Sequence, residues 1–274
     1  MDTRPIGVFD SGVGGLTVAR AVIDLLPHES VLYFGDTARG PYGPRPLDEV
    51  RRFATEILEL LLAERVKLVV VACNSASAAA LDELRAGAPV PVVDVIEPAV
   101  RAAVRLTRNR RVGVIGTTAT IASGRYPRSV AATHENVALL SQACPRLVEF
   151  VERGETTGPE ILTVAGGYLA PLLEAGIDTL ILGCTHYPLL TGVIGYLAGP
   201  DVFLVDSAEW TARDVFAELT RADLHAPYAT VPRHRFWCSG DPGGFRRLGA
   251  RFLGPEVVEV QTRSAGRLAG RGRR

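Results

Sequence analysis

An internal repeat is the sequence feature that most constrains the fold of this chain. Gly7-Val8-Phe9-Asp10-Ser11-Gly12 resembles Gly113-Val114-Ile115-Gly116-Thr117-Thr118 at an offset of 106 residues. Val70-Val71-Ala72-Cys73-Asn74-Ser75 resembles Ile181-Leu182-Gly183-Cys184-Thr185-His186 at an offset of 111 residues. Because the two offsets nearly agree, we interpret the two halves of the chain as a duplication.

Short β-branched runs alternate with longer segments of helical period along the chain, a pattern typical of parallel sheets covered by helices. Together with the repeat, this predicts an α/β fold of two similar parallel-sheet lobes, related by a pseudo-twofold axis, with the active site between them. Helices are clearest at Leu47–Arg65, Ala208–Ala222 and Gly243–Phe252. Strands are predicted at Ile6–Phe9, Val31–Gly35, Leu68–Ala72, Val90–Val95, Arg111–Ile115, Val137–Ser141, Thr179–Leu182, Val202–Val205, His234–Cys238 and Val257–Val260.

The order of these elements predicts a discontinuous first lobe. We expect residues 1–97 and 208–262 to form this lobe and residues 98–207 to form the second. The remaining segment, 263–274, is rich in arginine and glycine and contains no acid. Such a composition predicts a flexible tail.

The charge balance argues against a large charged partner. The chain has 30 acidic and 30 basic residues, so it has no broad field to hold nucleic acid or anionic lipid. The sequence shows neither a signal peptide nor an apolar run long enough to cross a bilayer, and its four cysteines lack C-x-x-C spacing. We therefore expect a cytoplasmic protein that acts on small molecules.

The sequence predicts chemistry without a cofactor. Lys67 is the one lysine in the chain, and it precedes a predicted strand, at the sheet edge opposite to the usual ligand site. This placement argues against a Schiff base with pyridoxal phosphate. The five histidines are scattered, so no metal site is predicted. Gly12-Val13-Gly14-Gly15 weakly resembles a dinucleotide-binding turn, but Thr17 replaces its third glycine and Asp10 would repel a pyrophosphate.

Two cysteines follow corresponding strands of the repeat. Cys73 and Cys184 therefore approach one cleft from opposite lobes, at the strand ends where parallel sheets bind ligands. Racemisation at a carbon needs one group that removes a proton and another that delivers one to the opposite face. Thiols suit both roles because thiol and thiolate coexist near cellular pH. Cys144 and Cys238 have no such context and are predicted to be core residues.

Polar residues near these strand ends could bind a small zwitterion with a carboxylate side chain. Asp10 and His186 are placed to influence the two thiols, although each could also serve a structural role as a helix cap or a core histidine. The turn Asp36–Pro44 could close over the site through Pro41, Tyr42 and Gly43. Hydroxyl and amide groups that could bind carboxylates are those of Ser11, Asn74, Ser75, Thr117, Thr120 and Thr185.

Four motifs in this order resemble the glutamate racemase family of the aspartate/glutamate racemase superfamily. They are Asp10-Ser11-Gly12-Val13-Gly14-Gly15, Asp36–Gly43, Ala72-Cys73-Asn74-Ser75 and Gly183-Cys184-Thr185-His186. The resemblance covers Ile6 to about Phe252. It implies free glutamate as substrate, no cofactor, a homodimer, and a supply of D-glutamate for peptidoglycan synthesis.

The same resemblance implies individual roles. Cys73 would deprotonate D-glutamate and Cys184 would deprotonate L-glutamate, with Asp10, His186 and, from its position after Cys144-Pro145, Glu152 in support. Ser75 departs from the family's usual threonine by one methyl group. Two alternatives remain: an aspartate racemase or related two-cysteine isomerase, and a regulator that binds protein or nucleic acid through the arginine-rich tail. The resemblance also implies that contact with DNA gyrase could be a second activity.

Overall fold

The computed structural model describes residues 1–266, which form helices and parallel strands in alternation. Most strands of the first half are buried along their full length, because helices cover both faces of the sheet. The strands, in chain order, are β1 (Ile6–Asp10), β2 (Val31–Gly35), β3 (Leu68–Val71), β4 (Val92–Asp94), β5 (Arg111–Gly116), β6 (Ala138–Ala143), β7 (Thr179–Gly183), β8 (Phe203–Asp206), β9 (Arg235–Cys238) and β10 (Val260–Thr262).

These strands form two sheets of matching topology. The first sheet has the order β10-β9-β2-β1-β3-β4 and the second has the order β6-β5-β7-β8. Every neighbouring pair is parallel. The order β2-β1-β3-β4 of the first sheet thus corresponds strand for strand to β6-β5-β7-β8. The predicted α/β fold with two parallel-sheet regions is confirmed, and the exact lobe boundaries stay a prediction.

Helices connect successive strands and place their N-termini at the carboxyl ends of the sheets. Short 3₁₀ turns also occur at Tyr187–Leu190 and Gly254–Glu256. The α-helices are α1 (Leu16–Leu25), α2 (Leu47–Ala63), α3 (Asn74–Gly87), α4 (Glu97–Leu106), α5 (Thr118–Ala122), α6 (Arg125–Ala131), α7 (Arg146–Arg153), α8 (Pro159–Glu174), α9 (Thr191–Ala198), α10 (Ser207–Arg221) and α11 (Pro242–Leu253).

The C-terminal end departs from the sequence prediction. The last strand lies at Val260–Thr262, because the apolar run predicted at Val257–Val260 is preceded by a 3₁₀ turn and reaches the sheet only at its end. The backbone N–H of Arg263 donates to the Cys238 carbonyl at 2.9 Å, and Ala265 is only 4% exposed. The predicted flexible tail was therefore placed too early. Its remaining part, 267–274, lies outside the described residues.

Lys67 serves the fold. Its ammonium is fully buried, 2.5 Å from the Glu29 carboxylate, and donates hydrogen bonds to the carbonyls of Asp2 and Leu224. The two hydrogen bonds tie the N-terminus to the segment that follows α10, and the ion pair with Glu29 compensates the buried charge. Over residues 1–266, no helix is both long and apolar enough to cross a membrane.

Candidate active site

A cavity of about 180 Å³ lies where the carboxyl ends of the two sheets face each other. Cys73 reaches it from the end of β3, at the N-cap of α3, and Cys184 reaches it from the end of β7. Both are nearly buried, at 5% and 7% exposed. The predicted residues found on its wall are Asp10, Ser11, Pro41, Tyr42, Gly43, Cys73, Asn74, Ser75, Thr117, Glu152, Cys184, Thr185 and His186.

Two residues predicted to contact the substrate, Thr120 and Tyr42, have hydroxyl groups that pair within the protein instead. Thr120 is fully buried and is absent from the cavity wall; its hydroxyl instead pairs with those of Thr117, at 3.0 Å, and Ser75, at 3.2 Å. Tyr42 does line the cavity, but its hydroxyl donates to the buried Asp36 carboxylate. Thr120 therefore supports the wall from behind, and the phenol of Tyr42 is held by the protein.

The wall also contains residues that the sequence analysis missed. Glu149 could have been predicted from the sequence, since it lies three positions before Glu152 and so on the same face of α7. Thr118 follows the hydroxyl-bearing Thr117 of the repeat. The missed residues are Pro44, Thr118, Pro145, Val148 and Glu149.

The Cys73 side of the cavity is dominated by a carboxylate. Asp10 is 1% exposed and accepts hydrogen bonds from the backbone N–H groups of Gly12 and Gly15, both at 3.1 Å. Burial, and then the nearby charge of Asp10, raise the pKa of Cys73, although hydrogen bonds from Ala76 and Ser11 oppose the rise. The Cys73 sulfur is therefore held as a neutral thiol at rest.

The Cys184 side has the opposite character. The Cys184 sulfur lies 3.8 Å from Nδ1 of His186, and Nε2 of the same ring lies 3.4 Å from Oε1 of Glu152, at ion-pair distance without hydrogen-bond alignment. Burial lowers the pKa of His186, but Cys184 and Glu152 outweigh burial and raise it to about 10. The imidazolium is thus placed to balance negative charge on Cys184.

The two halves of the wall approach very closely. A Cβ atom on Gly14 would lie 2.5 Å from both Nδ1 of His186 and Oγ1 of Thr185. The N–H of Ala119 donates to the Gly43 carbonyl at 2.9 Å, and the hydroxyls of Ser75 and Thr117 lie 3.0 Å apart. These contacts fix the cavity dimensions, and Gly14 is required because no side chain fits there.

The lining offers no basic side chain other than His186 and, among the described residues, no cluster of three or more metal-ligating groups. A larger open groove of about 890 Å³, whose lining includes six arginines on and near α4 and α6, contains neither Cys73 nor Cys184. We assign the site to the smaller cavity, because it brings together two thiols, an imidazolium and the Asp10 carboxylate. Asp10 raises the pKa of Cys73, and Cys184 raises the pKa of His186, as expected for groups of one functional site.

Comparison with known proteins agrees with this geometry. Residues 16–215 match the family model described as Asp/Glu/Hydantoin racemase. The chain is 58% identical to a glutamate racemase of Beutenbergia cavernae, over 95% of this chain and 93% of the relative. A glutamate racemase structure from Bacillus anthracis superposes with a TM-score of 0.92 at 41% identity, covering 96% of this chain and 98% of the other. One from Francisella tularensis, in complex with D-glutamate, superposes with a TM-score of 0.91 at 35% identity, covering 97% and 99%.

Proposed function

This chain belongs to the Asp/Glu/hydantoin racemase family, and we propose that it interconverts L- and D-glutamate without a cofactor. The observation that carries the proposal is the presence of one thiol from each sheet, Cys73 and Cys184, on the wall of a single small cavity. A volume of about 180 Å³ lies below the range of about 300 to 1,000 Å³ found for drug-sized ligands, so it favours a small substrate.

The proposed reaction moves one proton across the α-carbon. Starting from L-glutamate, the Cys184 thiolate takes the α-proton, and the electron pair left on carbon delocalises into the α-carboxylate. The Cys73 thiol then donates its proton to the opposite face, which forms the new C–H bond and leaves a Cys73 thiolate. Starting from D-glutamate, the two thiols exchange roles: the Cys73 thiolate takes the α-proton and the Cys184 thiol donates one. The reverse reaction thus returns Cys73 to the thiol and Cys184 to the thiolate.

Hydroxyl groups and helix N-termini are suited to bind the carboxylates of the substrate. The N-termini of α3 and α5 meet at the cavity, where Asn74, Ser75, Thr117 and Thr118 lie on the wall. Backbone N–H groups at such ends attract anions. The carboxylate of Asp10 lies on the wall as well and can attract the substrate ammonium group. Both signs of charge on glutamate thus have a partner.

The family resemblance supports a wider setting for this activity. We place the enzyme in the cytoplasm as a homodimer that supplies D-glutamate for peptidoglycan synthesis. Contact with DNA gyrase is a further activity that the resemblance allows, and it would be separate from the cavity described above.

A single assay tests the proposed function. Purified protein, dialysed against a chelator and free of pyridoxal phosphate absorbance, is incubated with L-glutamate and separately with L-aspartate, and the enantiomers are resolved. We expect racemisation of glutamate that neither metal nor pyridoxal phosphate increases. Faster racemisation of aspartate would instead support the alternative substrate, and no turnover of either would overturn the proposal.

A further inference from the structure

A second cavity of about 600 Å³ adjoins the thiol cavity, and we refer to it as the vestibule. The two cavities share four wall residues, namely Ser11, Pro41, Glu152 and His186. The outer wall of the vestibule is formed by α11, which contributes Arg247 and Arg251. A ligand that enters from this side passes both guanidinium groups before it reaches the thiols.

The charges of the inner cavity create a problem that these arginines can solve. Its wall carries the carboxylates of Asp10, Glu149 and Glu152 against one imidazolium, that of His186. The charged side chains of this wall thus have a negative excess, whereas the proposed substrate has two carboxylates and one ammonium group. An anionic substrate therefore needs positive charge along its entry path.

Arg247 and Arg251 are placed to supply this charge. They are four residues apart on α11, so they share one face of the helix, and both are exposed. Within residues 1–266, neither forms a hydrogen bond or an ion pair with a carboxylate. Arg251 also lies against Gly154, which ends the helix α7 that carries Glu152. The vestibule wall thus carries these two guanidinium groups and the His186 imidazolium against the carboxylates of Glu152 and Asp241, which leaves a positive excess on this side of the thiol cavity.

We propose that Arg247 and Arg251 make the vestibule selective for anionic amino acids and raise the local concentration of the substrate near the thiols. The identity of the anion as glutamate rests on the proposed function, but the selectivity for negative charge does not. The effect acts through space on the approach to the thiols, so it should weaken when salt shortens the Debye length from about 10 Å at 0.1 M to about 3 Å at 1 M.

The test uses two alkylating probes of similar size, anionic iodoacetate and neutral iodoacetamide. Their rates of reaction with Cys73 and Cys184 are measured by peptide mass spectrometry at low ionic strength. In a double variant with Arg247→Gln and Arg251→Gln, we expect the iodoacetate-to-iodoacetamide rate ratio to fall about 3- to 10-fold, at or just below the lower bound of about 10-fold for electrostatic focusing. At 1 M salt, where the charges are screened, the double variant and the unchanged protein should give similar ratios.

Three controls make the result decisive. Arg246→Gln removes an exposed charge from the same helix outside the vestibule wall and should leave the ratio unchanged. The variant pair Arg247→Lys and Arg251→Lys keeps the charge and should keep the ratio. An unchanged iodoacetamide rate shows that the cavity is intact. An unaltered ratio in the double glutamine variant, or an equal fall in Arg246→Gln, overturns the proposal.

Kinetics separate this proposal from the proposed function. If the protein racemises glutamate, the double glutamine variant should raise KM about 3- to 10-fold at low salt with kcat within about twofold. A loss confined to kcat contradicts a role on the entry path. If the protein does not racemise glutamate, the alkylation ratio still decides whether the vestibule selects anions.

Discussion

The two lobes share the order of four strands, but they differ at two equivalent positions beside the thiols. Where β1 ends in Asp10, its counterpart β5 ends in Gly116. Two residues after the cysteine, the first lobe has Ser75 and the second has His186. Each lobe therefore supplies one thiol, but the first adds a carboxylate, that of Asp10, and the second adds an imidazolium, that of His186.

The fourth strands differ far less. β4 ends in Asp94 and β8 ends in Asp206, and each carboxylate accepts a hydrogen bond from the N-terminus of the next helix, at Ile96 N–H and Ala208 N–H respectively. Both pKa values are raised, chiefly by burial. The duplication thus preserved the scaffold, while the change at two positions gave the thiols opposite electrostatic surroundings.

Removing either thiol should have the largest effect on this arrangement. We expect Cys73→Ala and Cys184→Ala each to lower kcat/KM more than about 10³-fold in both directions, because one missing group stops the proton relay. The double variant should be little worse than either single variant. Cys144→Ala is the matched control, a buried cysteine whose loss should leave racemisation nearly intact. Substantial racemisation by either single variant contradicts the account.

Removing the His186 imidazolium tests the electrostatic difference between the two thiols. Because L- and D-glutamate have equal free energies, kcat/KM must be equal in both directions, so asymmetry can appear only in kcat and KM separately. We expect His186→Asn to lower kcat from L-glutamate about 10²-fold, more than kcat from D-glutamate. Equal losses of kcat in both directions contradict a specific action on Cys184.

The pH profile gives the same variant a second readout. The pKa of His186 is raised to about 10, so its positive charge is present at neutral pH and is lost as pH rises through about 10. We expect kcat of the unchanged protein to fall over that range and the variant to lack this step. An identical alkaline limb in both proteins contradicts the assignment.

The sequence predicted the features that follow from periodicity and repetition. The two sheets and the positions of Cys73 and Cys184 at strand ends needed only the alternation of apolar runs and the repeated motif. The sequence prediction failed for the orientation of one side chain on a short helix and for the bounds of a strand at the sheet edge. Thr120 lies behind the wall, within α5 (Thr118–Ala122), and β10 lies at the edge of its sheet, where exposed polar residues can form a strand without an apolar run. Arg247 and Arg251 gave no signal among the 29 arginines.

Asp94 offers a stability test of the arrangement that β4 and β8 share. Burial, and then Glu97, raise the pKa of Asp94 to about 6, above the ordinary value of about 3.9. The stability that its protonated form contributes is present below about pH 4 and is lost as pH rises through about 6, roughly 2 to 3 kcal/mol in all. Asp94→Asn should lack this dependence in denaturant unfolding measured from pH 4 to 7. Parallel curves for the two proteins contradict the raised pKa.

Gly14 tests how closely the lobes must approach. A methyl group there would lie 2.5 Å from His186 and Thr185, so we expect Gly14→Ala to displace both and to lower kcat/KM about 10-fold. Gly12→Ala is the matched control, since nothing lies within 4 Å of its added methyl group. A similar loss in both variants would indicate a general effect on the loop rather than the predicted collision.

Isotope transfer in D₂O tests the central claim, that Cys73 and Cys184 act on opposite faces of one α-carbon. The thiol that delivers the proton exchanges with solvent before the substrate binds, whereas the abstracted proton stays on the other thiol during turnover. Early in the reaction, the account predicts that product formed from L-glutamate carries deuterium at the α-carbon while recovered L-glutamate stays largely unlabelled, and the same for D-glutamate. Equal early labelling of substrate and product in both directions would contradict two separate thiols and indicate one base that reaches both faces.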